Sequence, residues 1–185
     1  MTRFIYNGKV YPHEAIVEID EVNYPIGRML PAEREALGIE EVIEQPQPDT
    51  RYFYANGDPD KPGAWIASPI SPEQMRQRLL QHAAERRWGK EIGGIEVEGL
   101  PVATDDRSKI MLLGARSKAE ADPSFTPKWV AANGHVVTLP ASDIIAISDV
   151  VAGHVDACFK LYAAVVDKIE DGTITKYEEI DAEFA

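Results

Sequence analysis

The run of residues 93–108, near the middle of the chain, constrains the fold more than any other feature of the sequence. It combines two glycine turns with a stretch that alternates apolar and polar residues and with the beginning of a helix. The alternation over residues 95–102 predicts a β-hairpin. Thr104 or Asp105 is placed to cap the helix that follows. This segment alone predicts a fold in which short hairpins are interspersed with helices.

Residues 71–185 are predicted to form a mainly helical domain with two short hairpins. Pro72 can occupy the first turn of a helix, and apolar residues then recur at helical spacing. A second hairpin is predicted at about 129–137, where Asn133 and Gly134 tolerate positive φ. The other predicted helices cover residues 105–121, about 141–170, and a short carboxy-terminal stretch with a capping box from Thr175 to Glu178.

Residues 1–70 are predicted to form a small β-rich module. Asn7 and Gly8 form the strongest hairpin dipeptide, and short apolar strands flank them. The other predicted elements are strands at 16–20, 39–43 and 51–54, a turn at 21–25, a short helix at 31–38, and a proline-rich loop and linker at 56–72. The predicted fold class is therefore α+β: a small β-rich amino-terminal unit followed by a mainly helical domain.

Net charge limits the kinds of partner that the chain can have. The formal net charge is −12, so a phosphate backbone or an anionic membrane surface would be repelled. The densest basic cluster, which includes Arg87, is interleaved with acids such as Glu91 and is interpreted as the solvated face of a helix. No stretch approaches the roughly 20 apolar residues that span a bilayer. We therefore expect no nucleic-acid partner, no membrane insertion, and a soluble protein made in a cytoplasm.

The residue types that usually carry catalysis or bind metals form no recognised motif. Cys158, the single cysteine, falls on an apolar helix stripe and is expected to act as a small buried hydrophobe. The four histidines lack the spacing of zinc ligands, and the adjacent carboxylates lie in turns and at helix starts, where they point apart. The sequence contains neither a phosphate-binding loop nor a dinucleotide fingerprint. It thus predicts a non-enzymatic protein with no catalytic, cofactor-binding or metal-binding residues.

The longest predicted helix carries an apolar seam. Its members are separated by four, three, four, three and four residues: Val151, Val155, Cys158, Tyr162, Val165 and Ile169. This spacing is typical of a helix that packs along another helix. The partner helix is either within the chain, at residues 73–88 and 105–121, or in another copy, which would make the helix at about 141–170 the seam of a homo-oligomer.

Aromatic residues concentrate in the first seventy residues. Tyrosine and tryptophan favour protein interfaces because one end of the ring system is apolar and the other forms hydrogen bonds. A small β domain also needs aromatic side chains for its own core, so both interpretations stay open. If the aromatic residues face a partner, then Tyr52, Tyr54 and Trp65 are the candidate partner-binding residues.

Several stretches of the second part carry a resemblance to a known family. They are Gly93-Gly94-Ile95, residues 100–108, Asp122-Pro123-Ser124-Phe125, Val137-Thr138-Leu139 with residues 144–147, residues 154–159, and Gly172-Thr173-Ile174-Thr175. Through them, residues 88–184 resemble a domain of unknown function common in tailed-phage and prophage proteins, which are often described as tail-fibre or tail-assembly components. The amino-terminal unit, with Asn7-Gly8 and Tyr24-Pro25, resembles the short module that often precedes this domain.

This resemblance implies a tail-associated protein that binds another tail protein, with the tail fibre as the expected partner. Such a protein is either a structural component of the virion tail or a fibre-assembly chaperone absent from the mature particle. In both cases it is present in the host bacterial cytoplasm during assembly. The family carries no agreed catalytic residues, so none is transferred. A rival hypothesis is an envelope glycan-binding or hydrolytic tail protein, in which Tyr54 and Trp65 stack on sugar rings beside Asp58 and Asp60.

Overall fold

The computed structural model describes residues 2–185, and the chain divides into two compact units, Met1–Ser71 and Pro72–Ala185. Helices account for 45% of the residues and strands for 22%, so the predicted α+β class is confirmed. Short strands and hairpins make up most of the first unit, and helices make up most of the second.

The first unit is built from antiparallel strand pairs. Its elements are β1 (Arg3–Tyr6), β2 (Lys9–Pro12), β3 (Ile16–Ile19), β4 (Val22–Pro25), a 3₁₀ turn (Ile26–Arg28), α1 (Pro31–Ala36), β5 (Glu40–Glu41), β6 (Phe53–Gly57) and β7 (Trp65–Pro69). Strand β1 is central in a three-stranded sheet of order β2-β1-β5. Asn7 and Gly8 have φ of 48° and 74°, so the predicted hairpin between β1 and β2 is confirmed.

The predicted turn at residues 21–25 is wrong. Residues 22–25 form strand β4, which pairs with β3, and the turn between these strands consists of Asp20 and Glu21. Both turn residues have left-handed φ, 51° and 63°. That conformation usually selects glycine or asparagine, so an acidic pair gives little sign of a tight hairpin turn.

The prediction of a loop and linker over residues 56–72 is also wrong in part. Residues 65–69 form strand β7, which pairs along its whole length with β6. Pro59 and Pro62 lie in the connection between these strands, where a missing N–H group costs no ladder bond. Two other predicted strands change in extent: the one at 39–43 shortens to Glu40–Glu41, and the one at 51–54 shifts to Phe53–Gly57.

The second unit alternates helices with hairpins. Its elements are α2 (Pro72–Ile92), β8 (Ile95–Val97), β9 (Leu100–Val102), α3 (Asp106–Ala121), β10 (Lys128–Val130), β11 (Val136–Thr138), α4 (Ala141–Glu170) and α5 (Tyr177–Glu183). Both predicted hairpins are confirmed, as is the long helix. Asp105 caps α3, because its side chain accepts a hydrogen bond of 3.1 Å from the Ser108 backbone N–H.

The apolar seam of α4 is covered within the chain. Helix α4 contacts both α2 and α3, and all six seam residues are buried or half-buried. One core cluster includes Ile144, Ile147 and Val151, and a second includes Val165 and Ile169 with residues of α2 and α5. Packing against the other helices of the same unit is therefore confirmed.

The predicted capping box from Thr175 to Glu178 is displaced by one residue. Helix α5 begins at Tyr177, and it is Glu179 whose carboxylate accepts the backbone N–H groups of Thr175 and Lys176, at 2.8 and 2.9 Å. These two bonds hold the pKa of Glu179 below its usual value, because they stabilise the charged form.

A buried threonine joins the end of α2 to the β8–β9 hairpin. The Thr104 side chain is fully buried, its hydroxyl donates to the Glu91 carbonyl at 2.6 Å, and it accepts the Gly94 N–H at 2.9 Å. We expect Thr104→Val, which keeps the shape but removes both bonds, to lower the free energy of unfolding by about 2–3 kcal/mol. Thr104→Ser, which keeps the hydroxyl, is the matched control. Equal urea midpoints for the two variants would show that the hydroxyl contributes little.

Candidate protein-binding surfaces

The three residues predicted to bind a partner all lie at the β6–β7 hairpin. Tyr52 immediately precedes β6, and its carbonyl accepts the Ile70 N–H at 3.1 Å. Tyr54 lies within β6 and is 43% exposed. Trp65 is the first residue of β7 and is half-buried. All three residues therefore belong to one hairpin or directly adjoin it.

The strand register separates Tyr54 from Trp65. Trp65 is paired with Gly57, whereas Tyr54 is paired with Ser68. Because side chains alternate between the faces of a strand, Trp65 shares its face with Phe53, and Tyr54 shares the opposite face with Ile66. The three predicted residues consequently do not form one continuous surface.

Trp65 anchors the hairpin to the preceding loop. Its indole N–H donates to the Gln45 carbonyl at 3.1 Å, and the Gln45 N–H in turn donates to the Gly63 carbonyl at 2.7 Å. Gly63 itself has φ of 85°, and a Cβ there would lie 2.6 Å from the Ile43 carbonyl oxygen. Replacing Trp65 would thus change the local structure as well as any surface that it contributes to.

The hairpin exposes large apolar side chains on both of its faces. Phe53 is 39% exposed on the face that it shares with Trp65, while Tyr54 and Ile66 are 43% and 49% exposed on the other. We call these three residues the hairpin surface. A two-stranded hairpin has little core of its own, so apolar side chains on both faces are available to a partner.

The residues named in the rival sugar-binding hypothesis lie in and near the connection between β6 and β7. Asp58 Oδ1 accepts the Asp60 N–H at 2.9 Å, which closes the turn of the β6–β7 connection. Asp58 and Trp65 line one open cleft of about 310 Å³, but Tyr54 is not among its lining residues. Trp65 and Asp58 therefore share one cleft, and Tyr54 lies outside it.

A second apolar surface lies on α3. Ile110, Met111 and Leu113 are 70%, 58% and 64% exposed, and they fall within four consecutive residues. Leu112, between them, is 3% exposed and belongs to the core. This surface is not among those predicted from the sequence. Its signal is the run of four large apolar residues itself, because a helix that packs on one side can bury only part of such a run.

An open groove borders this apolar surface. It has a volume of about 390 Å³ and runs between α3 and residues 125–129, with Met111, Gly114 and Trp129 among its lining residues. Lys118 and Lys128 are also in the lining, whereas no carboxylate is. The groove is thus apolar with a basic edge, in a chain whose net charge is −12.

Three charged residues form an ionic cluster at the end of α2. The Glu91 side chain is 6% exposed; it is ion-paired with Arg87, and it accepts a bond of 2.6 Å from Lys109 Nζ. The bond to Glu91 raises the pKa of Lys109. Arg87 also lies over the Phe159 ring, 4.5 Å from its centroid. Interpretation of the basic cluster as a solvated helix face is therefore wrong for Arg87 and Glu91, which are largely buried.

The single cysteine has a histidine neighbour but is not activated by it. Cys158 Sγ lies 3.8 Å from His154 Nε2, and the same nitrogen lies 3.1 Å from the Lys90 carbonyl oxygen. A carbonyl only accepts, so Nε2 carries the proton and cannot act as a base toward the thiol. Burial raises the pKa of Cys158, and the Glu91 carboxylate raises it further. Cys158 is 2% exposed, which confirms the prediction of a small buried hydrophobe.

Among residues 2–185, no three or more histidine, cysteine or acidic side chains are placed to hold one metal ion. Within the same described range, every helix is too short or too polar to cross a membrane.

The second unit of the chain matches a known protein family. Residues 74–184, more than half of the chain, match the family described as a domain of unknown function, DUF4376. The chain belongs to the DUF4376 family. Neither a curated protein nor a solved structure matches the chain. The DUF4376 region contains the α3 surface and the ionic cluster, whereas the hairpin surface lies before it.

Proposed function

We propose that this DUF4376 protein is a non-enzymatic, tail-associated protein of a phage or prophage, and that it binds another tail protein through its amino-terminal unit. The expected partner is the tail fibre. The observation that carries the proposal is the hairpin surface, where Phe53, Tyr54 and Ile66 are exposed on the two faces of one pair of strands.

The chemistry of this surface suits a protein partner. Tyrosine and phenylalanine contribute large contact areas with few rotatable bonds, and such residues dominate the energetics of many interfaces. Tyr54 and Ile66 are diagonal neighbours across the strand pair, a spacing at which aromatic and long side chains still contact one another. The net charge of −12 keeps unselective contacts weak.

The tail context is supported by the resemblance of the family domain and of the short module before it to tailed-phage proteins. Within this context the chain has one of two roles. Mass spectrometry of purified particles separates them. A fixed ratio to the fibre identifies a structural component, whereas absence from particles together with abundance in the lysate identifies an assembly chaperone.

Binding through the hairpin surface is tested with two variants, Tyr54→Ala and Ile66→Ser. Each should weaken capture of the purified tail-fibre protein by about tenfold or more, because each removes a large apolar side chain from the contact. Ile16→Ser and Val22→Ser are the matched controls, since these side chains are also exposed but lie on the β3–β4 hairpin. Equal capture by all four variants would show that the fibre binds elsewhere or not at all. Trp65 is left unchanged because of its bond to Gln45.

A further inference from the structure

We propose that the open cleft beside Trp65 binds a neutral sugar, with a pyranose ring stacked on the Trp65 indole. The volume of the cleft is about 310 Å³, at the lower end of the range of roughly 300–1,000 Å³ that is usual for small-ligand sites. Its lining includes three charged side chains and a glycine: Arg3, Glu44, Asp58 and Gly57. Tyr54 and Ile66 lie on the opposite face of β6 and β7 from Trp65, so sugar binding is independent of the proposed contact with the fibre.

Gly57 leaves the Trp65 ring uncovered. The two residues are paired directly across β6 and β7. An aromatic side chain paired with a glycine in a sheet can pack across it and fill the space of the missing side chain. At Gly57, however, no atom beyond its two chain neighbours lies within 4 Å of the place where a Cβ would stand, so the indole does not cover the glycine. The space beside the ring is open to a ligand.

The backbone does not require glycine at position 57. Gly57 is not among the glycines with positive φ, and a side chain there would meet no neighbouring atom. Glycine weakens a strand because it adds no packing and loses more backbone entropy on folding than other residues. A glycine in a strand often marks the close approach of a ligand or of another backbone, and at Gly57 no other part of residues 2–185 makes such an approach.

The charged side chains of the cleft offer both donors and acceptors. Arg3 donates from Nε and Nη2 to one oxygen, Glu44 Oε1, at 2.9 and 2.7 Å. Asp58 uses one oxygen, Oδ1, to accept the Asp60 N–H at 2.9 Å. Arg3 Nη1, Glu44 Oε2 and Asp58 Oδ2 therefore have no hydrogen-bond partner within residues 2–185. A ligand in the cleft can use all three groups.

This set of groups favours a neutral sugar over an ion. The lining contains two carboxylates and one guanidinium, so an anion is disfavoured. A cation could use the carboxylates and the indole face, but it could not accept a bond from Arg3. A hydroxyl both donates and accepts, so one ring with several hydroxyls can bond to the guanidinium and to the carboxylates. The C–H groups on the face of a pyranose also suit the negative face of the indole.

Backbone hydrogen bonds hold the cleft in place without a ligand. The Trp65 indole N–H donates to the Gln45 carbonyl at 3.1 Å, and the Gln45 N–H donates to the Gly63 carbonyl at 2.7 Å. On the other side of the connection, the Asp58 N–H donates to the Ala64 carbonyl at 3.0 Å. Because these bonds are made within the chain, little ordering of the site is needed when a ligand binds.

Titration of the full chain with neutral methyl glycosides, followed by proton–nitrogen correlation NMR, tests the proposal. The probes are the methyl glycosides of glucose, galactose, mannose and N-acetylglucosamine. At least one should shift the Trp65 indole N–H resonance, with a dissociation constant in the millimolar range because an open cleft covers only part of the sugar. The indole resonances of Trp88 and Trp129, in the second unit, should not move. A Trp65 resonance that none of the four glycosides shifts would overturn the proposal.

Gly57→Val tests the position of the sugar. Valine would occupy the space beside the ring, so the dissociation constant should rise by more than about tenfold. This variant should fold at least as well as wild type, because valine favours strands and packs well against an aromatic residue across a strand pair. Asn56→Val, the same new side chain one residue earlier and on the opposite face, is the matched control and should bind as wild type. Unchanged affinity of Gly57→Val would show that the sugar does not stack in this cleft.

Tetramethylammonium chloride distinguishes a sugar site from a cation site. Binding of a neutral glycoside should not depend on salt concentration, whereas binding of a cation beside carboxylates should weaken as salt is added. A Trp65 resonance that responds to tetramethylammonium but to no glycoside would overturn the assignment to a sugar. Tyr54→Ala and Ile66→Ser should bind the glycoside as wild type does, whatever their effect on capture of the fibre.

Discussion

Replacing Glu91 by alanine should lower the free energy of unfolding of the second unit by about 3–5 kcal/mol. The Glu91 carboxylate is 6% exposed and serves two cations, Arg87 and Lys109, whose side chains are only 17% and 21% exposed. Alanine would leave both cations partly buried without their shared anion. Loss of one partner from a buried ion pair is costly because the remaining charge has given up its hydration.

The effect of Glu91 is measured by urea denaturation followed by circular dichroism, with two comparisons. Glu91→Gln retains hydrogen-bonding capacity without the charge, so it should be destabilised less than Glu91→Ala. Glu73→Ala removes a carboxylate that is 61% exposed and ion-paired with Arg76 at the start of the same helix, and we expect little change. Destabilisation of Glu91→Ala no larger than that of Glu73→Ala would contradict a stabilising role for the buried cluster.

Local signals explain which parts of the fold could be predicted from the sequence. The hairpin at residues 95–102 turns at Glu98 and Gly99, both with positive φ, and a glycine in an alternating stretch is a direct sign of such a turn. Strand β4 has no such signal, because its turn consists of Asp20 and Glu21. Strand β7 was missed because prolines surround it, and because its pairing with β6 is a contact between separate segments.

The location of the candidate surfaces depends on strand register and on helix packing, and a single sequence determines these only in part. Tyr54 and Trp65 lie on opposite faces because of the exact register of β6 with β7, and a shift of one residue would reverse the face of every side chain. Composition shows that aromatic residues concentrate in this part of the chain, but it does not fix that register. Helix α3 differs, since four successive large apolar residues already indicate that some must face outward.

The burial of the ionic cluster could not be predicted from the sequence. Arg87 and Glu91 are separated by four residues in a helix rich in charges, which is the usual pattern of a solvated face. What buries them is the packing of other elements around the end of α2, including Phe159 of α4 and Lys109 of α3. Such contacts between distant segments have no local signal in the sequence, so the cluster becomes visible only in the folded chain.

Replacing Phe4 by alanine should lower the free energy of unfolding of the first unit by about 3–5 kcal/mol. Phe4 is 1% exposed on the central strand β1, between its paired residues Tyr11 and Glu41, and the Arg34 guanidinium lies 4.6 Å from the centre of its ring. Phe4 is the largest fully buried side chain of this core, whose other buried members are Val17, Ile19, Ile26 and Ile39. Its replacement by alanine therefore leaves a large cavity in that core.

A unit of about 70 residues has a total stability of roughly 4–10 kcal/mol, so the Phe4→Ala change removes a large share of it. Hydrogen exchange of the amides in β1 and β2 is the appropriate measurement, because it reports on this sheet directly. Phe53→Ala is the matched control: it deletes the same side chain at a position that is 39% exposed, and it should leave the exchange rates of β1 and β2 nearly unchanged. If the two variants accelerated exchange equally, the sheet around β1 would not be the stabilising core of the first unit.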